Sequence, residues 1–173
     1  MSLRHTCKLF AAFGLAFGLV VLTGWDEIAI AGKKEDAEKY TNDLKTSKDV
    51  KVKVNALGEL AKLGQIMKPF IKDAEPYMMK ALEDKDATIR AAAAKAVGMI
   101  DPEPKDVVPL FLKMMKEDKD ESVKEAAIMG LGYMGPNAKD ATPDLRKVVK
   151  DEDKKSKLNR AAVNSLKSIN PKK

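Results

Sequence analysis

Four segments of the chain repeat one amphipathic pattern at intervals of 37, 34 and 35 residues, and this recurrence restricts the fold more than any other feature. They run from Val52 to Leu63, Ile89 to Ile100, Val123 to Met134 and Leu158 to Ile169. Apolar residues fall at positions 0, +4, +8 and +11 of each: Val52, Ala56, Leu60, Leu63; Ile89, Ala93, Val97, Ile100; Val123, Ala127, Leu131, Met134; Leu158, Ala162, Leu166, Ile169. That spacing lines one face of an α-helix. Asp49, Asp86 and Asp120 stand three residues before the opening position of the first three copies, where a carboxylate caps the free N–H groups of a helix start. Ala92, Ala126 and Ala161, next to the +4 alanines, are small enough to let neighbouring helices come close.

A second segment alternates with the first: KDAEPYMMKALEDKD from Lys72, KDVVPLFLKMMKEDKD from Lys105 and KDATPDLRKVVKDED from Lys139. Each predicts a second helix, with Asp73, Asp106 or Asp140 as its cap and Pro76, Pro109 or Pro143 in its first turn, where a missing N–H costs little. Its apolar stripe is Met78, Ala81, Leu82; Phe111, Met114, Met115; Leu145, Val148, Val149. A pair of such helices cannot bury both stripes alone, whereas stacked pairs bury them continuously. The expected fold is therefore all-α, an α-solenoid of about eight helices in antiparallel pairs. Its parts are a capping half repeat at 36–48, repeats at 49–84, 86–118 and 120–153, and a C-terminal capping half repeat at 154–170.

The N-terminal stretch has another character. Arg4 and Lys8 precede an apolar run from Leu9 to Leu22, followed by Ala29-Ile30-Ala31, the layout of a secretory signal peptide over residues 1–31 with cleavage before Gly32. Fourteen apolar residues fall short of the roughly 20 that a membrane-spanning helix needs, so no stable membrane insertion is expected after cleavage. The expected location is exported, periplasmic or extracellular. Cleavage would remove His5, Cys7 and Trp25, leaving a chain without histidine, cysteine or tryptophan. Thiolate and imidazole catalysis, disulfides and the usual zinc or haem ligand sets then drop out. We expect no enzyme activity, no cofactor and no metal; the carboxylates at 83–84 and 151–153 read as turn caps without the ligand spacing of a calcium loop. The net charge of +6 comes almost wholly from lysines interleaved with acids, and arginines are confined to Arg4, Arg90, Arg146 and Arg160. With few aromatics for stacking, this composition argues against nucleic acid as a partner.

The recurring DATIRAAAAKAVG and DESVKEAAIMGLG resemble the HEAT-like repeat, in the short bacterial form also found in phycobilin lyases, over residues 36–170. The resemblance implies protein binding along a curved solenoid surface, and it carries no catalytic residue onto this chain. The first copy departs from it, with Lys53 in place of Arg90 and Val54 and Asn55 in place of alanines.

The expected function is a non-catalytic scaffold or adaptor that binds another protein on the concave face. Alternatives are a lyase-like accessory acting on a bound substrate, and an envelope protein binding anionic polymer. The second-type helices are expected to line the concave face, where Lys80, Lys113 and Lys147 form a column continued by Lys116 and Lys150. Such a column fits an acidic protein segment or an anionic glycan; the alternative is a solvated lysine surface diluted by Glu83, Asp43 and the EDKD turns. Met79 and Leu112 lie off the stripe and are candidate exposed contacts. The long first turn, with Ile66, Met67, Pro69, Phe70 and Ile71, either folds onto its own repeat or presents Phe70 to a partner.

Overall fold

The structure, a computed structural model, describes residues 30–171. Of the segment read as a signal peptide, residues 1–31, the first 29 lie outside the described residues. The described residues belong to two units, divided between Asp36 and Ala37. The described part of the first unit, residues 30–36, is helical. The second unit is the repeat body.

Among the described residues there are eight α-helices and no strand: α1 (30–46), α2 (Val50–Ile66), α3 (Glu75–Ala81), α4 (Ala87–Met99), α5 (Pro104–Glu117), α6 (Glu121–Tyr133), α7 (Thr142–Asp151) and α8 (Lys157–Ile169). The four first-type segments are α2, α4, α6 and α8. Asp49, Asp86 and Asp120 cap the first three, their side chains accepting from the N–H groups of Lys51, of Thr88 and Ile89, and of Ser122. Ser156 caps α8 by accepting from the Asn159 N–H.

Pro76 and Pro143 stand in the first turns of α3 and α7 as predicted, but the caps of the second-type helices and the start of α5 differ from what KDxxP suggests. Asp73, Asp106 and Asp140 cap nothing; the N-caps are Ala74, Glu103 and Ala141, none with a side-chain cap bond. In α5 the earlier Pro104 takes the first-turn position, so the helix begins sooner and Pro109 falls inside it. Before α7 a 3₁₀ segment, Gly135–Ala141, already satisfies the backbone groups that a cap would serve.

The core follows the predicted stripes in the middle of the array. Ile89, Ala93, Val97 and Ile100, and Val123, Ala127, Leu131 and Met134, are all buried. The flanking copies are looser: Val52 is 36% exposed, against the expectation, and Leu63, Leu158 and Leu166 are half-buried. The long first turn folds back as a 3₁₀ turn, Lys68–Ile71, and inserts Ile71 fully into the core. Gly64 makes the room, since a Cβ there would stand 2.6 Å from Ile71 Cδ1.

Two layers result. α2, α4, α6 and α8 pack side by side as one continuous sheet of helices, and α3, α5 and α7 each lie on the first-type helix that follows. The first-type layer is the tighter. A Cβ on Gly98 would meet the backbone of Gly130 at 2.5 Å, and one on Gly132 would meet Ser165 Oγ at 2.5 Å. Both contacts join position +9 of one copy to +7 of the next, and the buried Ala61 and Ala96 occupy the same two positions in the first pair. The second-type helices make far less close approach to one another. Where two layers are joined pair by pair, the more closely spaced one lies inside the arc. The first-type helices therefore line the concave face and the second-type helices the convex one, which reverses the expected assignment and moves the lysine column to the outside.

Polar ties run along both edges of the stack. On one edge Lys53 pairs with Asp84 at 3.2 Å, and Arg90 makes a two-pronged contact with Asp118, Nε and Nη2 each 2.8 Å from a carboxylate oxygen. The same guanidinium donates to the carbonyls of Asp84 and Lys85, so it spans two successive turns. On the other edge Asp101 adopts the left-handed conformation (φ 51°), which aspartate tolerates better than most residues. Its carbonyl accepts from Lys68 and its carboxylate accepts from Asn137, 2.9 Å away.

Candidate partner-binding faces

On the convex face the predicted lysines are exposed but do not share one environment. Lys80 lies in a groove of about 600 Å³ with Lys45, Lys53, Lys85, Tyr77, Glu83 and Asp84. Lys113 lies in a groove of about 260 Å³ with three carboxylates, Glu83, Glu117 and Asp118. Lys147 and Lys116 share a groove of about 270 Å³ with Lys124, Asp144, Asp151 and Glu152, and Lys116 is paired with Asp144 at 2.7 Å. Lys150 is exposed at the end of α7. The column is thus cationic at its first groove, acidic in the middle and balanced at the last. Mixed lysine and carboxylate patterning in the turns produces this, and an acidic rod laid along the column would meet like charge at Lys113.

The other predicted contacts are partly withdrawn from solvent. Met79 and Leu112 are half-buried and pack against the core rather than standing clear of it. Phe70 is half-buried in the folded-back turn, and Ile66 next to it is 60% exposed.

Electrostatics at the turns serve structure. Arg90's hydrogen bonds hold the Asp118 carboxyl below its ordinary value despite burial, and Asp118 raises Arg90 in return. Burial pushes Asp84 up, but the Asp86 N–H and the Lys53 ammonium outweigh it and leave this carboxyl lowered as well. Both carboxylates are occupied by partners and not poised to move protons. Among the described residues no cluster of three metal-ligating side chains occurs, and no helix is long and apolar enough to cross a membrane.

The concave face holds a feature that the sequence reading passed over. Between α6 and α8 lies a groove of about 380 Å³ whose walls include Met129, Tyr133, Glu125, Lys157, Arg160 and Asn164. Position +6 of each first-type helix (Gly58, Lys95, Met129, Asn164) and position +10 (Lys62, Met99, Tyr133, Ser168) line this inner face. Tyr133 is 49% exposed, a large aromatic ring left open to water. The same register that defines the buried stripe gives these columns, so they were legible once the concave layer was known. Arg160 and Asn164 belong to the C-terminal capping half repeat, where a polar residue carries no signal that separates a contact from a solvated cap.

A two-layered stack of antiparallel helix pairs, one layer closely seamed and the other more open, is the architecture of an α-solenoid. The profile of HEAT repeats matches residues 38–132 and 108–173, and the chain belongs to this family. No curated protein sequence matches it. HEAT repeats commonly mediate protein interactions, which makes an interaction scaffold the general reading of the chain.

Proposed function

We propose that the protein is an exported, non-catalytic scaffold that holds another protein against its concave face. The observation that carries this reading is the inner face itself, where Met129 and Tyr133 stand partly or well exposed between flanking cations on a rigid layer of helices. Exposed apolar surface rimmed by charge marks contact sites on otherwise polar proteins. Export rests on the signal-peptide layout of residues 1–31, and kinship with the short repeats of phycobilin lyases enters only as shared architecture. A photo-crosslinking residue placed at position 133, and separately at position 113 on the convex face, tests the reading in producing cells. Discrete protein adducts at 133 in the envelope or secreted fraction are expected. Adducts at 113 alone, or no protein adducts at either position, would overturn it.

A further inference from the structure

We infer that the groove between α6 and α8 takes an acidic segment of a partner protein that carries an aromatic or branched apolar side chain. This rests on the scaffold reading and adds the chemistry of the bound segment.

The argument starts from charge. Lys157 and Arg160 are exposed on α8 and make no ion pair with a described residue, and Glu125 is the one carboxylate in the groove wall. The groove is therefore net cationic. The three convex grooves described above each contain at least two carboxylates, one of them already paired with a lysine in the first and in the last groove; the first is net cationic as well, so what sets the concave groove apart is that both of its cations are unpaired among the described residues. Arginine adds a planar fork that grips a carboxylate with two parallel bonds, and Arg160 is the one arginine in these grooves.

The apolar side supplies the anchor. Tyr133 and Met129 lie one turn apart on α6, so they form a single strip along the groove. The thioether adapts to irregular shapes and the ring offers a rigid face. An incoming aromatic or branched side chain fits this strip while its acidic neighbours reach Arg160 and Lys157. The floor is rigid for a local reason: Ser165 donates 2.7 Å to the Ile128 carbonyl and fixes α8 against α6 beneath the groove. Nucleic acid is the poorer match, because its repeating phosphates would pass Glu125 and find one exposed ring for stacking.

The test presents the full-length protein to a phage-displayed library of random linear peptides. Enrichment of acidic peptides bearing Trp, Phe, Tyr, Leu or Ile is expected. Affinity of a selected peptide should fall about tenfold or more in Tyr133→Ser and in Lys157→Glu/Arg160→Glu, and should stay unchanged in Lys113→Glu. Circular dichroism of each variant checks that the fold is retained, and all these positions are on the surface. No enrichment, enrichment of basic or neutral peptides, equal loss in Lys113→Glu, or displacement of the peptide by a single-stranded oligonucleotide would each overturn the inference. Protein adducts at position 133 in cells together with non-acidic selected peptides would remove this inference and leave the scaffold standing. Absent adducts would remove the scaffold itself.

Discussion

Replacing Gly98 by alanine puts the tight seam between α4 and α6 to a direct test. The added Cβ would stand 2.5 Å from the Gly130 carbonyl oxygen, 2.6 Å from its Cα and 2.9 Å from its carbonyl carbon. All three are backbone atoms, so relief requires the two helices to separate by a large fraction of an ångström. A gap of 0.5 to 1 Å forfeits roughly a quarter to a half of each dispersion contact along the seam, where Ala94, Val97, Ile128 and Leu131 are wholly buried. Overpacking of this kind costs roughly 1 to 3 kcal/mol, and alanine's better helix propensity returns about 1. We expect a net loss of up to about 2 kcal/mol, which lowers Tm by up to roughly 8 °C for a body of this size. Gly58→Ala is the matched control, because Gly58 is exposed in α2 and nothing lies within 4 Å of a Cβ there. It should stabilise by about 0.5 to 1 kcal/mol. Urea and thermal unfolding followed by circular dichroism give both signs. A Gly98→Ala protein as stable as Gly58→Ala would refute the close seam and, with it, the assignment of the concave face.

Arg90→Ala should destabilise by about 1 to 3 kcal/mol, and Arg90→Lys should recover part of that loss, since Lys53 makes the equivalent tie to Asp84 with one ammonium; urea midpoints of the two variants decide it. Because the Asp118 and Asp84 carboxyls are lowered in the folded state, they contribute stability above the unfolded carboxylate value of about 3.9, and that contribution is lost as pH falls through their folded values. The urea midpoint should therefore drop on acidification below about pH 4, and less steeply in Asp118→Asn. Ala127→Leu should cost roughly 1 to 3 kcal/mol, since Ala127 is fully buried; an unchanged melting curve would count against its place in the seam. Intact mass of exported protein should show a chain beginning at Gly32, and a dominant species retaining residues 1–31 would refute cleavage there.

Much of the fold was readable because the buried stripe recurs. Positions 0, +4, +8 and +11 are set by the geometry of one helix, and four copies in register leave little freedom. The helix starts of the second type were misread for a local reason: KDxxP contains both a capping residue and a proline, and in α5 a second proline at 104 outcompeted it. The face assignment was harder still. Which layer curves inward depends on how closely neighbouring helices approach, and that depends on Gly98, Gly130 and Gly132, residues that carry no hydropathy signal. The lysine column was legible as spacing, but its environment was not, because the carboxylates facing Lys113 come from adjacent repeats and from the turn at 117–118.

The ties along the two edges of the stack also bear on how the molecule would respond to force. Lys53, Arg90 and their carboxylates brace one edge, while Lys68, Asp101 and Asn137 brace the other. Between them the central seam brings the Gly98 and Gly130 backbones into direct contact, flanked by fully buried Val97, Ile128 and Leu131. A load applied across the central repeats is thus shared between two sets of short, directional bonds on opposite sides, and opening the arc on one side tightens the other. Beyond α6 the bracing changes: α8 is held by Ser165 on the Ile128 carbonyl and by Asn159 on the Val149 and Glu152 carbonyls, with no ion pair among the described residues across that junction. Under tension or in a hydrogen-exchange experiment, the C-terminal helix should peel away first, its attachment indifferent to salt, while the central repeats hold until their charged braces are screened.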